Sequence, residues 1–139
     1  MIFVTVGNHY HGFNRLVQKA DEIASHTFYD FLIQKGYSSY QPKRARYFDF
    51  VPLEEAIGYI RISELVISHA GMGTILLSRK YGVPMIIVPR RKKYGEHGTD
   101  HQMEIAKVLE QRKDPHLSIV YDEGQLEEKI KEVLGRKGK

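Results

Sequence analysis

The sequence predicts an α/β protein, a Rossmann-like parallel sheet of about six strands with helices on both faces. Short apolar runs recur along the chain, each followed by a stretch with apolar residues at helical spacing. Within the runs, consecutive positions are apolar, as in strands covered on both sides. Glycine or proline closes most elements. The chain has 139 residues, which predicts one domain over residues 1–139. A chain of this length buries roughly 65–70% of its unfolded surface, enough for one core.

Ile2-Phe3-Val4-Thr5-Val6, closed by Gly7, reads as a buried first strand. Phe13, Leu16, Val17, Ala20 and Ile23 then fall on one helical face. Phe31-Leu32-Ile33 is a short second strand stopped by Gly36, and residues 37–45 are a polar loop. Residues 47–51 read as a third strand. Pro52 opens a short helix carrying Leu53, Ala56, Ile57 and Ile60. Residues 65–68 are a fourth strand, and 74–81 a helix stopped by Gly82 and Pro84. Residues 85–88 form a fifth strand, 90–99 a basic loop, 100–111 a helix and 117–121 a sixth strand. Leu126, Ile130, Val133 and Leu134 mark a last helix closed by Gly135. There is no internal repeat and no low-complexity tract.

The absence of cysteine excludes disulfides and thiolate metal sites. No run approaches the ~20 apolar residues that cross a bilayer. MIFVTVG has no basic segment before its apolar run, so it reads as a strand and not as a signal peptide. A cytoplasmic protein is the expectation. Net charge is +4, with clusters at Lys43-Arg44-Ala45-Arg46, Arg90-Arg91-Lys92-Lys93 and the tail Arg136, Lys137 and Lys139. Such clusters suit an anionic partner, whether nucleotide, nucleic acid or phospholipid, or form a solvated face.

Two strand-to-helix connections carry the chemistry. Ser68-His69-Ala70-Gly71-Met72-Gly73-Thr74 follows the fourth strand. In open parallel sheets ligands bind at the carboxyl ends of strands. The first amides of a helix lack internal partners and carry about half a positive charge, so a phosphate fits there. Glycine permits close backbone approach, and a tight turn requiring positive φ would explain the same glycines. No Walker string is present, and a G-x-G-x-x-G fingerprint fails at Leu76. Arg90, ending the fifth strand, would suit a dinucleotide 2′-phosphate.

The second connection, PRRKKYGEHGTDHQ, follows the fifth strand. Its cations, Arg90 and Arg91 first, would suit a diphosphate. Glu96, His97, Asp100, His101 and Gln102 offer the mixed donors and acceptors that sugar hydroxyls need. Asp100 also suits the N-cap of the following helix. His97 and His101 stand four apart, but Gly98 puts His97 before the helix, so no metal site is expected.

MIFVTVGNHYHGFNRLV, VISHAGMGT and VPRRKKYGEHGTDHQ, in that order over nearly the whole chain, carry a family resemblance. They resemble the small, PssE-like subunit of two-component bacterial exopolysaccharide glycosyltransferases. The chain is similar also to the soluble subunit of the eukaryotic two-part dolichol-linked N-acetylglucosaminyltransferase. It looks like the C-terminal domain of MurG-like enzymes of glycosyltransferase family 28 too. The resemblance implies the C-terminal, donor-binding half of a GT-B enzyme. It implies a UDP-sugar as substrate, with no cofactor, and a membrane-anchored, PssD-like subunit that binds a lipid-linked saccharide acceptor. That partner would recruit the chain to the inner face of the cell membrane. Galactose or glucuronic acid would be the sugar transferred, in exopolysaccharide or capsule synthesis.

By motif, the resemblance implies that Gly7, Ser68, His69, Gly71, Gly73 and Thr74 border the diphosphate. Phe50 and Val51 would read uracil, and Asp100, His101 and Gln102 would contact the donor sugar. Many relatives carry a Glu three residues after the threonine, for the ribose hydroxyls. Here that position is Leu77. An inverting transfer without metal needs a base, and His9 and His11 are the internal candidates because imidazole titrates near neutrality. Two other functions remain open. One is a stabilising subunit that binds no nucleotide. The other is a nucleic-acid module, suggested by the aromatic and basic residues from Tyr37 to Arg44 but leaving the glycine turn unused; no nucleic-acid partner is expected.

Overall fold

The structure, a computed structural model, describes residues 1–137. Among these, six strands form one parallel sheet: β1 (Ile2–Thr5), β2 (Phe31–Gln34), β3 (Arg46–Phe48), β4 (Leu65–Ser68), β5 (Met85–Ile87) and β6 (Leu117–Ile119). The helices are α1 (Asn14–His26), α2 (Leu53–Ile62), α3 (Met72–Lys80), α4 (His101–Arg112) and α5 (Leu126–Lys137).

The spatial order is β3-β2-β1-β4-β5-β6. The chain runs outward from β1 to β3, then crosses back to place β4 on the other side of β1. β1 and β4 pair in register from Ile2↔Leu65 to Thr5↔Ser68. Their following loops therefore leave in opposite directions and open a crevice at the carboxyl edge, the switch point where this architecture takes ligands.

Consecutive apolar residues fill two cores. Ile2, Val4, Ile33, Ile67 and Ile86 face α1 and α5, meeting Leu16, Val17 and Ile130. Phe3, Val66 and Ile87 face the opposite layer, meeting Ile60 of α2, Ile75 of α3 and Leu109 of α4. Each fully buried side chain of this kind contributes roughly 1.5–3 kcal/mol.

Several boundaries differ from the expected ones for local reasons. β3 ends at Phe48, although its pairing continues through Lys35 N–H to Phe48 O (3.0 Å) and Gly36 N–H to Asp49 O (3.1 Å). Phe50 then turns out against the Tyr37 ring at 5.0 Å. α3 begins at Met72, before Thr74, because Gly71 takes the N-cap position. α5 runs through Gly135 to Lys137. Of the basic tail, the side chains of Arg136 and Lys137 and all of Lys139 lie outside the described residues. Among the described residues, no helix is long and apolar enough to cross a membrane.

The polar loop 37–45 is ordered by one acid from α1. The buried Asp21 carboxylate accepts from the amides of Lys43, Arg44 and Ala45, each at 2.9 Å, and from the Tyr40 hydroxyl at 2.7 Å. Burial alone would raise its pKa. The four donors outweigh burial and hold the carboxyl below its ordinary range.

Candidate functional site

The turn after β4 divides into a closed part and an open part. His69 belongs to the closed part: its ring inserts between two loops, and a Cβ on Gly7 would stand 2.4 Å from its Nε2. A Cβ on Gly71 would stand 2.5 Å from the same atom. Gly7 also has φ of +70°, which favours glycine. These two glycines therefore make room for a protein imidazole, where the sequence suggested room for phosphate. Ser68 is 0% exposed, and among the described residues its hydroxyl has no hydrogen-bond partner.

His69 Nδ1 lies 3.0 Å from Gln102 Nε2 and 3.4 Å from Arg90 Nε. The Gln102 orientation follows from its Oε1, which accepts from the amides of Ala70 (3.1 Å) and Arg90 (3.0 Å). Both neighbours of Nδ1 are thus donors, and the ring proton sits on Nε2. Burial, then the cationic Arg90, then His9 and His97, push the imidazole pKa down to about 3. It is neutral at any physiological pH.

Arg90 corrects the expectation of an exposed basic loop. It is 0% exposed. One Nη1 donates to the carbonyls of His11 (3.0 Å), Gly12 (3.3 Å) and Glu96 (3.1 Å), and Nη2 donates to Val6 O. Burial lowers its pKa to about 10, still cationic at neutral pH. A guanidinium so occupied holds neither a diphosphate nor a 2′-phosphate. Arg91 donates its amide to Glu96 Oε1 at 3.0 Å, and its guanidinium lies over the Tyr94 ring. The exposed cations of the loop are Lys92 and Lys93.

The five residues expected around a sugar also separate. Glu96 is 3% exposed and both its carboxylate oxygens take Arg15 of α1, at 2.9 and 3.0 Å. Gln102 is buried and spent on the bonds above. Neither is free for sugar hydroxyls. Asp100 sits at the N-cap position of α4 but caps nothing; its Oδ1 accepts from Lys92 N at 2.9 Å. Asp100 and His101 are exposed and His97 is half-buried. His97 precedes α4, as Gly98 suggested.

The loop after β1 carries the histidines. His9 stacks on His97 at 4.5 Å and on His11 at 4.8 Å. The His11 amide donates to His9 Nδ1 at 3.1 Å, and His11 Nδ1 lies 3.2 Å from the same atom. His9 Nδ1 is therefore an acceptor already in use. His11 donates from Nδ1, which leaves its Nε2 lone pair open. Of the two expected bases, the geometry favours His11. Burial first, then Arg90 and the two neighbouring imidazoles, lower the pKa of His9.

The open part of the turn begins at α3. Among the described residues, no side chain caps this helix. Ile75 is the first residue to bond back, its amide donating to Gly71 O at 3.2 Å, so the amides of Met72, Gly73 and Thr74 stay open. A Cβ on Gly73 would meet nothing within 4 Å. Beside this end lies a cleft of about 140 Å³, lined among others by Thr5, Gly7, Asn8, Gln34, Val51, Thr74 and Leu77. Val51 reaches it, whereas Phe50 does not line it. Gln34, bonded from Thr5 Oγ at 3.1 Å, gives the cleft a polar floor that the sequence reading passed over. Its signal was a polar residue ending an apolar strand. Arg15 was passed over as well, because its hydrogen-bond partners lie more than 70 residues away.

Residues 1–138 match the glycosyltransferase family 28 C-terminal domain. Over 79 residues the chain is 39% identical to UDP-N-acetylglucosamine transferase subunit ALG13 of Cryptococcus neoformans, covering 55% of this chain and 36% of that protein. The protein of a second strain gives the same values. Among solved structures, the glycosyltransferase of kitacinnamycin superposes with a TM-score of 0.70 at 16% identity, over 95% of this chain and 34% of that one. The spinosyn forosaminyltransferase SpnP gives 0.66 at 17% identity, over 96% and 34%. SnogD from Streptomyces nogalater gives 0.58 at 22%, over 89% and 31%. These likenesses establish the fold, that of the C-terminal half of GT-B glycosyltransferases. The chain spans about a third of the length of the relatives it matches. With the family match running from residue 1 to 138, this chain belongs to the glycosyltransferase family 28 C-terminal domain family.

Proposed function

We propose that the chain is the donor-binding subunit of a UDP-sugar-dependent hexosyltransferase, acting with a membrane-anchored, acceptor-binding subunit. The observation that carries this reading is the uncapped start of α3 opening beside a cleft at the β1–β4 switch point. Three open amides and the helix dipole suit a pyrophosphate. Val51 and the Gln34–Thr5 pair line the space behind it, where a base and ribose would lie. The cleft holds about 140 Å³. Ligand sites commonly run to about 300–1,000 Å³. A nucleotide-sugar therefore needs a second wall, and this supports a partner subunit that closes the site.

Asp100, His97 and His101 are the side chains left to meet the sugar. The name of the Cryptococcus relative favours UDP-N-acetylglucosamine as donor over the galactose or glucuronic acid implied by the bacterial resemblance. The acceptor is a lipid-linked saccharide in exopolysaccharide or capsule synthesis. Transfer inverts the anomeric carbon without a metal: the α3 amides stabilise the leaving diphosphate. The His11 Nε2 lone pair, or a base on the partner, takes the acceptor proton.

Calorimetric titration with UDP tests the binding half. Wild type should bind and Gly73→Asp should not, because a carboxylate would occupy the anion's place. Equal affinity would remove the phosphate assignment. Leu77, standing in the cleft where relatives place an acid, favours a second reading, a stabilising subunit without nucleotide. Under it, UDP would leave the melting temperature unchanged.

A further inference from the structure

We propose that Arg90 is a positioning residue for the anion site at the start of α3. Its guanidinium ties the loops after β1, β4 and β5 into one unit, and it holds the His69 ring with Nε2 between Gly7 and Gly71. The proposal rests on the donor-site reading above. It goes beyond it in assigning the site's geometry to a residue that touches no ligand.

The connections are specific. From the connection after β5, Arg90 reaches Val6 just past β1, His11 and Gly12 in the loop that follows, Glu96 in its own loop and His69 after β4. No lysine does this, because a single ammonium cannot span that fan of acceptors. Gln102 completes the frame by receiving both Ala70 N–H and Arg90 N–H on one oxygen. Ala70 is the residue before the Gly71 N-cap, so the frame sets where α3 begins and where its open amides point. Arg90 and Gln102 both donate to His69 Nδ1, which forces the ring proton onto Nε2 beside the glycines. A buried cation surrounded by carbonyls is a poor choice for stability alone, since a well-packed apolar side chain often serves as well.

The test uses Arg90→Met and Arg90→Lys in the full chain. Three quantities are read: thermal unfolding, UDP affinity by calorimetry, and the histidine ring tautomer by ¹⁵N NMR. The wild type should show His69 protonated on Nε2. Arg90→Met should still unfold cooperatively, bind UDP at least tenfold more weakly, and show His69 mixing tautomers. Arg90→Lys should recover part of the affinity. A residue that only supports the fold would lower the melting temperature in Arg90→Met and leave affinity and tautomer alone, and that result would overturn the proposal. Should Arg90→Met fail to fold, an Arg90→Lys variant with wild-type affinity and tautomer overturns it equally. If neither folds, a wild-type His69 protonated on Nδ1 does so, and one protonated on Nε2 supports it. Failure of the wild type to bind UDP would defeat the donor-site reading instead, while the tautomer measurement would still report on Arg90.

Discussion

Gly71 and Gly73 lie two residues apart on the same turn and meet opposite surroundings. A side chain at Gly71 would run into the His69 ring, itself held by Gln102 and Arg90. A side chain at Gly73 would meet empty space at the start of α3. The molecule concentrates its buried polar groups on one side of this turn and leaves backbone amides bare on the other. The difference teaches that the glycine pattern encodes two demands. One is internal packing around an imidazole, and the other, under the proposed function, is access for a ligand. A rigid frame next to an unsatisfied edge is what preorganised binding requires.

Substitutions can break that comparison. The largest effect belongs to Gly7→Ala. It adds left-handed strain at φ +70° and drives a Cβ into a fixed ring. Together these should cost on the order of 3 kcal/mol of stability, measured by urea unfolding. A loss under about 1 kcal/mol would mean that the ring moves freely. Next is acidification. His69 has an ordinary pKa of 6.5 and a folded value of about 3, so it stabilises the fold fully above pH 6.5. As pH falls, the unfolded chain takes up a proton that the native ring refuses. Stability should therefore decline as pH falls from about 6.5 toward 3. His69→Gln should flatten that slope, as read from unfolding curves at a series of pH values.

Smaller effects sharpen the contrast. Gly73→Ala should raise stability by about 0.5–1 kcal/mol through helix propensity, where Gly71→Ala lowers it. The same Gly73→Ala change should weaken UDP binding, because the methyl covers the amides; calorimetry and melting read the two outcomes separately. A change of similar size is expected of Leu77→Glu. Introducing the acid that the family resemblance implies for the ribose should tighten UDP about threefold to tenfold, or roughly 0.7–1.4 kcal/mol. Unchanged affinity would place the ribose elsewhere in the cleft.

The sheet was legible because its evidence is local. Ile2 to Val6, Leu65 to Ile67 and Met85 to Val88 are apolar at consecutive positions, and the helices between them show their own period. Boundaries slipped where a tertiary feature decides them, as at α3, where Gly71 caps the helix ahead of Thr74. The candidate site was legible only in part. Gly73 and Thr74 stand where the turn suggested, and Val51 reaches the cleft. The polar residues beside them changed meaning in three dimensions. Arg90, Glu96 and Gln102 look like ligand groups in a polar string, yet each is buried against partners far along the chain. No neighbour of Arg90 in sequence announces that five acceptors from three loops will surround it.

The central claim is that an anion of the donor rests on the open amides of α3. Backbone ¹H–¹⁵N spectra recorded during UDP titration test it most directly. The account predicts that the amides of Met72, Gly73 and Thr74 shift first and furthest, with Val51 following. Shifts that bypass α3 and gather at another surface, or no shifts at millimolar UDP, would contradict it.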